Sequence, residues 1–298
     1  MNENSEKFET INTQDSTNSQ EEASFNRFFK ECDIKKNLYD SGAKNFCGYS
    51  SFLLFVSIFI VSFLQKNIFR GIVLNKKSAV SKDATYSFLK CSSINWKMFL
   101  AKVATKAISF INGLSDEDTD SVIAIDDTPM KKNRSKKTEL LGKKYDHCSN
   151  TYYKGFEALD CCWTDGSTSI PFAVSLMSNN DKSKQVNGVT KNLDARSNGY
   201  KRREEAQMQK PDVVIKFAEL IRKFSIKFKA FTFDSWYATT RLISSLHKIA
   251  AVVCRLKVDN KYYLCNGKKM NIKQIYRGLK NKSRKKNNNW RRKYRINK

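Results

Sequence analysis

Apolar residues recur at helical spacing in the first part of the chain and at strand spacing in the second. The helical pattern occupies most of 25–113, which predicts a helical region over 25–114. Residues 1–24 are mainly Asn, Ser, Thr, Gln and Glu, so we predict a disordered tail there. The acidic stretch 115–120 precedes the change of pattern, and we predict a domain boundary at this point.

Strand-like segments rich in β-branched and aromatic residues follow from residue 121. The first three come without an intervening helix, and a turn at Asp165 and Gly166 predicts that the second and third form a hairpin. The last two each follow a predicted helix, one starting near Pro211 and one over 239–249. In chain order the strand-like segments are 121–125, 156–163, 170–176, 229–233 and 250–256.

This order, β-β-β-α-β-α-β, predicts an α/β fold with a mixed sheet of ribonuclease H-like connectivity over 115–257. The three strands that alternate with helices form its parallel section. Residues 178–209 are a polar insert within this core. Residues 258–298 are predicted to begin an insertion region and to end in a basic tail.

Carboxylates stand at the ends of two of the predicted strands. Asp126 and Asp127 follow the first apolar segment, and Asp234 ends the aromatic segment FTFD. In a ribonuclease H-like sheet these strands are neighbours, so the carboxylates meet and can hold Mg²⁺ or Mn²⁺. Alternate strand residues face opposite sides, and we favour Asp127 with Asp234 as the catalytic and metal-binding pair and keep Asp126 as the alternative. The competing interpretation is that these residues only cap local turns.

The net charge of +26, from 55 basic and 29 acidic residues, predicts a polyanionic partner, most simply double-stranded DNA. The segments around Tyr145 and Tyr152 are further candidates for DNA contact. The alternative to DNA contact is that the basic residues form a surface that is only solvated. The candidate phosphate contacts are Lys131, Lys132, Arg134, Lys136, Lys137, Lys201, Arg202 and Arg203.

The eight cysteines form no Cys-x-x-Cys pair and the two histidines lie far apart, so no zinc spacing is present. Reduced thiols in a cytoplasmic, nucleoid-associated protein are the simplest interpretation. The uncharged stretch 45–65 is the one candidate membrane segment, but its densest part, 52–64, is shorter than a span of about 20 residues requires. A buried helix is favoured, and a membrane-associated basic protein remains an alternative.

Several motifs occur in an order that resembles DDE-type insertion-sequence transposases of the IS-four-like group, over about residues 25–280. The resemblance implies a helical DNA-binding region at 25–114 and a ribonuclease H-like core. It also implies that a homodimer cuts and joins DNA at transposon ends in a Mg²⁺-dependent reaction. By the matching motifs, Asp127 and Asp234 would be two of its catalytic carboxylates. The motifs are IDDT, KTELLGKKYDH, YYKGFEALDCCWTDGSTSIPFAVSLMS, GYKRREEA and FTFDSWYATTRLISSL.

The chain departs from this family in its third carboxylate. The family carries a Glu in a Tyr-x-x-Arg-x-x-x-Glu context beyond the fifth strand, and here no Glu follows Glu219. We therefore expect a truncated chain that lacks the terminal helix of the core and is catalytically incomplete. The alternative for the last residues is a genuine basic DNA-binding tail. The alternative function is a non-enzymatic DNA-binding remnant that inhibits the full-length transposase.

Overall fold

The computed structural model describes residues 16–114, 120–189, 193–257, 262–265 and 267–285. The first part of the predicted tail, most of the predicted boundary at 115–120 and the end of the basic tail lie outside these residues. Helix α1 (Ser16–Glu31) begins inside the segment 1–24 for which we predicted disorder. The helix therefore extends further towards the N-terminus than the polar composition indicated.

The N-terminal part of the protein is all helical, as predicted. Side chains of Ser50, Ser81 and Asn95 each accept a hydrogen bond from a backbone N–H of the helix that follows. Within the predicted helical region, residues 91–95 separate the last two helices. The helices after α1 are α2 (Ile34–Asp40), α3 (Ser51–Phe63), α4 (Lys82–Lys90) and α5 (Trp96–Asn112), with a π-helical turn at Phe69–Val73.

The apolar stretch 45–65 contains α3, a helix of 13 residues. Leu54, Val56 and Val61 on this helix are buried in the helical core, together with Leu38 and Phe88. Within the described ranges, no helix has the length and apolarity needed to cross a membrane.

The second part of the protein is a mixed sheet flanked by helices. Strand β3 is central and pairs antiparallel with β1, while β1, β5 and β6 pair in parallel. The strands are β1 (Val122–Lys131), β2 (Gly142–Asp146), β3 (Thr151–Thr164), β4 (Ser169–Met177), β5 (Ala230–Phe233) and β6 (Ala251–Cys254). The helices are α6 (Asn198–Glu205), α7 (Lys210–Lys223) and α8 (Thr240–His247). A small hairpin of β7 (Tyr262–Cys265) and β8 (Lys268–Asn271) and helix α9 (Ile272–Lys285) follow.

The order of the sheet confirms the predicted ribonuclease H-like fold. Gly155 of β3 pairs with Lys131 of β1 and with Gly142 of β2, so β2 lies on the opposite edge of β3 from β1. Strand β4 shares that opposite edge. Strand β2 was not predicted, and neither was α6, which lies in the polar insert 178–209.

One face of the sheet is covered by helices α5, α7 and α8. Ile123, Ile125, Trp163 and Phe231 project from this face into the core. Side chains on the other face, such as Ala124, Cys162 and Thr232, are only half-buried. Helix α5 contributes Phe99 to the helical core and Ala104 to the sheet core, and so joins the two parts of the protein.

Candidate active site

Asp126 and Asp234 lie next to each other on the same face of the sheet, where the pairing of β1 with β5 ends. The last paired residues of β1 and β5 are Ile125 and Phe233, so the next positions on the two strands are Asp126 and Asp234. The backbone of Asp234 is still extended, with φ −70° and ψ 160°, and the alternation of side chains therefore continues to this residue. Both aspartates are exposed.

Asp127 lies on the opposite face, which the helices cover. Its neighbour across β3 is the fully buried Leu159, and its carboxylate is half-buried and forms an ion pair with Lys210 at the start of α7. The pair that we expected at the strand ends was Asp127 with Asp234. The register instead gives Asp126 with Asp234, because the face of each side chain depends on where the β1–β5 pairing begins.

Each exposed aspartate also fixes the local backbone. Asp126 accepts a hydrogen bond from the N–H of Asp127 at 2.8 Å. Asp234 accepts one from the N–H of Ser235 at 2.6 Å and caps the short 3₁₀ turn Ser235–Tyr237. The capping interpretation of these residues is therefore correct for Asp234, and it is compatible with a second role because a carboxylate has two oxygens and several lone pairs.

Lys210 connects the strands that carry the candidate site. Besides Asp127, it contacts Glu157 of β3 at 3.0 Å, and its ammonium group lies 4.9 Å from the centre of the Trp236 ring. Glu157 is also bound by Lys144 of β2 at 3.0 Å. We call Asp127, Lys210, Glu157 and Lys144 the ion-pair network; it ties together β1, β2, β3 and the start of α7.

Burial and charge act in opposite directions within this network. Burial alone raises the pKa of Glu157, but the ammonium groups of Lys144 and Lys210 outweigh it, and the net pKa lies below the ordinary value. Burial lowers the pKa of Lys144, and Glu157 offsets part of that effect. Burial, aided by the charge of Asp127, raises the pKa of Tyr237, which therefore stays protonated.

Asp160 is a third acidic residue on the exposed face, and the sequence did not single it out. It pairs directly with Asp126 across the β1–β3 ladder and is half-buried. Burial raises its pKa, and the charges of Asp126 and Asp127 raise it further. Only the strand register reveals this neighbour, since Asp126 and Asp160 are separated by a turn, strand β2 and most of β3.

The predicted phosphate contacts divide into two groups. Three of them bind other residues of the protein: Lys131, which is itself 48% exposed, pairs with Asp146 at 2.8 Å, Arg202 donates to the Ile94 carbonyl at 2.7 Å, and Arg203 pairs with Glu139 at 2.6 Å. These interactions stabilise the fold. The other predicted contacts are exposed, namely Lys132, Arg134, Lys136, Lys137 and Lys201.

Comparison with family models gives a match to the DDE superfamily endonuclease family over residues 63–293. The chain belongs to this family. The match includes the whole sheet and therefore every carboxylate described above. As a DDE superfamily endonuclease, the protein belongs to a group whose nucleases generally use divalent metal ions.

Among solved structures, this protein is similar to a chain of the Drosophila P element transposase strand transfer complex, with 13% identity and a TM-score of 0.34. The similarity covers 88% of this chain and 55% of that chain. The comparison with curated proteins found no match. Membership of the family rests on the sequence match alone.

The exposed carboxylates are of the type that binds such an ion. Mg²⁺ prefers oxygen ligands and is usually held by one or two carboxylates together with substrate phosphates and water. Asp126 and Asp234 supply two exposed carboxylates on one face. In the part of the chain that the structure describes, no three side chains of His, Cys, Asp or Glu are grouped closely enough to hold a metal ion. The residues therefore fit a divalent ion that takes its remaining ligands from substrate and water.

Proposed function

We propose that this protein is a DNA transposase that binds transposon ends for Mg²⁺-dependent cleavage and strand transfer. The observation that supports this most directly is the placement of Asp126 beside Asp234, at the end of the β1–β5 pairing, in a member of the DDE superfamily endonuclease family. Both are exposed, so a phosphate group can approach them. The high positive charge of the chain favours DNA as the substrate.

In this proposal Asp126 and Asp234 are the metal-binding residues, and Asp126 takes the place that sequence analysis gave to Asp127. When bound, a Mg²⁺ or Mn²⁺ ion activates the attacking hydroxyl and stabilises the leaving oxygen of the phosphodiester. Asp127 acts as a positioning residue. Its ion pair with Lys210 fixes the end of β1, which directs the preceding carboxylate to the open face.

DNA binding is assigned to the exposed basic residues that follow β1 and to Lys201 on α6. Lys132, Arg134, Lys136 and Lys137 lie on one segment directly after the strand that carries Asp126. Each lysine or arginine that contacts a phosphate releases counterions, so the logarithm of the binding constant falls linearly with the logarithm of salt concentration. We propose that the DNA-bound form is a homodimer.

We also propose that the residues of this chain alone support little strand cleavage. The resemblance to DDE transposases requires a third carboxylate, a Glu beyond the fifth strand, and no Glu follows Glu219. The test is a nicking assay with Mg²⁺ on a supercoiled plasmid that carries the DNA flanking the coding sequence. Binding with little nicking is expected. Robust nicking that Asp126→Ala abolishes would show that the metal site is complete.

A non-enzymatic DNA-binding protein that inhibits the full-length transposase is the second candidate. The observation that favours it is the absence of a three-ligand group among the described residues. This candidate requires end-specific binding that weakens with salt and does not change with Mg²⁺. Tighter binding in Mg²⁺, lost in Asp234→Asn, would exclude it.

A further inference from the structure

The β2–β3 hairpin extends past the rest of the sheet and presents one face to solvent. Its register pairs Tyr145 with Tyr152 and Lys143 with Lys154, and these four residues alternate with the residues of the other face. We call the four residues the ribbon face. Tyr152 is 78% exposed, and its ring centre lies 5.0 Å from that of Tyr145 at an angle of 62°.

The opposite face of the hairpin accounts for its packing. Lys144 binds Glu157 at 3.0 Å, Tyr153 is buried, and Asp146 binds Lys131 at 2.8 Å. The hairpin is therefore held in place by its inner face. The exposed Tyr152 is not needed for that packing.

The ribbon face continues the face of the sheet that carries the candidate carboxylates. Strand β3 is continuous from Thr151 to Thr164, and Tyr152, Lys154 and Asp160 are all even-numbered positions on it. Side chains at alternate positions of a strand share a face. Eight residues separate Tyr152 from Asp160, which corresponds to about 26 Å at roughly 3.3 Å per residue. A strand of DNA that reaches Asp126 can therefore continue along this face to the hairpin.

The chemistry of the ribbon face suits nucleic acid. Lys143 is exposed, Lys154 is half-exposed, and both flank the tyrosines. The exposed Lys132 lies close by, because its backbone N–H donates a hydrogen bond of 2.6 Å to the Lys154 carbonyl. The depression between them has a volume of about 560 Å³ and is lined by Asn133, Lys143, Tyr152, Tyr153 and Lys154. Lysines attract phosphates, and exposed aromatic rings stack on bases that are not paired within a duplex.

We propose that the ribbon face binds unpaired bases of a DNA strand that continues from the candidate active site along the same face of the sheet, with Tyr152 as the stacking residue and Lys143 and Lys154 as phosphate contacts. This inference rests on the proposed function, because it assumes that the protein binds DNA. It goes further in naming the form of DNA that is preferred: a duplex with a single-stranded extension over a blunt duplex.

The test is fluorescence anisotropy at fixed salt with two DNA probes, a blunt duplex and the same duplex with a single-stranded extension that carries 2-aminopurine. Tyr152→Ala is expected to weaken binding of the extended probe by about tenfold, within the range for loss of one base–aromatic stack. It should leave the blunt duplex unchanged and abolish the quenching of 2-aminopurine. Tyr152→Trp should restore both readouts.

Tyr262→Ala is the matched control, since Tyr262 is also exposed and lies on the separate β7–β8 hairpin. Unchanged binding of both probes by this variant, with the loss confined to Tyr152→Ala, supports the inference. Equal binding of the two probes by the wild type, or equal losses in Tyr152→Ala and Tyr262→Ala, overturns the inference and leaves DNA binding intact. Failure of the wild type to bind either probe contradicts the proposed function itself, and the inference with it.

Discussion

Replacing Lys210 by Met removes the ammonium group that joins Asp127 of β1 to Glu157 of β3. The three side chains are 13%, 24% and 20% exposed, so the charges are largely shielded from water. Met has a similar length and loses only the ammonium group, and with it the cation–π contact to the Trp236 ring. The substitution therefore changes charge with little change in packing.

The expected loss of folding stability depends on which charged groups lose their ion-pair partner. Removing one member of a buried ion pair costs about 3–5 kcal/mol, because the other charge stays buried and uncompensated. Glu157 retains Lys144 at 3.0 Å, so the loss falls mainly on Asp127. Partial exposure of Asp127 to water reduces the penalty, and we expect the low end of that range, about 3 kcal/mol.

Urea denaturation followed by circular dichroism measures this cost as a change in the free energy of unfolding. Adding Asp127→Asn to Lys210→Met, in a double-mutant cycle, should restore about 2 kcal/mol of the lost stability, because the double variant no longer buries an unpaired charge. Lys229→Met is the control: its pair with Asp120 is 66% and 65% exposed and is worth less than about 1 kcal/mol. A loss in Lys210→Met no larger than in this control, or strict additivity with Asp127→Asn, would refute the reasoning.

Two further predictions concern the framework of the site. Gly155→Ala should destabilise the protein by about 3 kcal/mol, because a Cβ there overlaps the Met130 carbonyl oxygen of β1, whereas Gly188→Ala, with open space around its Cβ, should have little effect in the same urea titrations. The pKa of Glu157 in the folded protein is below its unfolded value of about 4.3. The stability that the ionised carboxylate contributes is therefore present above that pH and is lost as the pH falls through the folded pKa. Glu157→Gln should therefore show a shallower loss of stability below about pH 4.3, and an unchanged acid profile would contradict this assignment.

Most of the fold was predictable because apolar residues recur along its helices and strands at the spacing that places them on the buried face. The buried residues of β1 and β5 form short apolar runs, and α7 has a Pro at its first turn, as the start of a helix favours. Strand β2 was missed because its sequence, GKKYD, is polar. Its register on β3 and the ion pair of Lys144 with Glu157 depend on residues that are distant in sequence.

The candidate site was predictable in its residue types and not in its geometry. Asp126, Asp127 and Asp234 stand out as acids at strand ends, but which member of the doublet faces Asp234 depends on register. A shift by one residue reverses the face of every side chain on a strand. The ion pair of Lys210 with Asp127 and the pairing of Asp126 with Asp160 likewise come from tertiary contacts that leave no local pattern.

We propose that Asp126 and Asp234 hold the divalent ion, whereas Asp127 forms part of the ion-pair network. Titration of Mn²⁺, followed by electron paramagnetic resonance of the free ion, measures this directly in the wild type and in the Asn variants of these three residues. Asp126→Asn and Asp234→Asn should each weaken Mn²⁺ binding by about tenfold or more, since each removes a charged oxygen ligand. Asp127→Asn should leave the affinity within about twofold, although it destabilises the fold. Loss of Mn²⁺ binding in Asp127→Asn with full retention in Asp126→Asn would contradict the account.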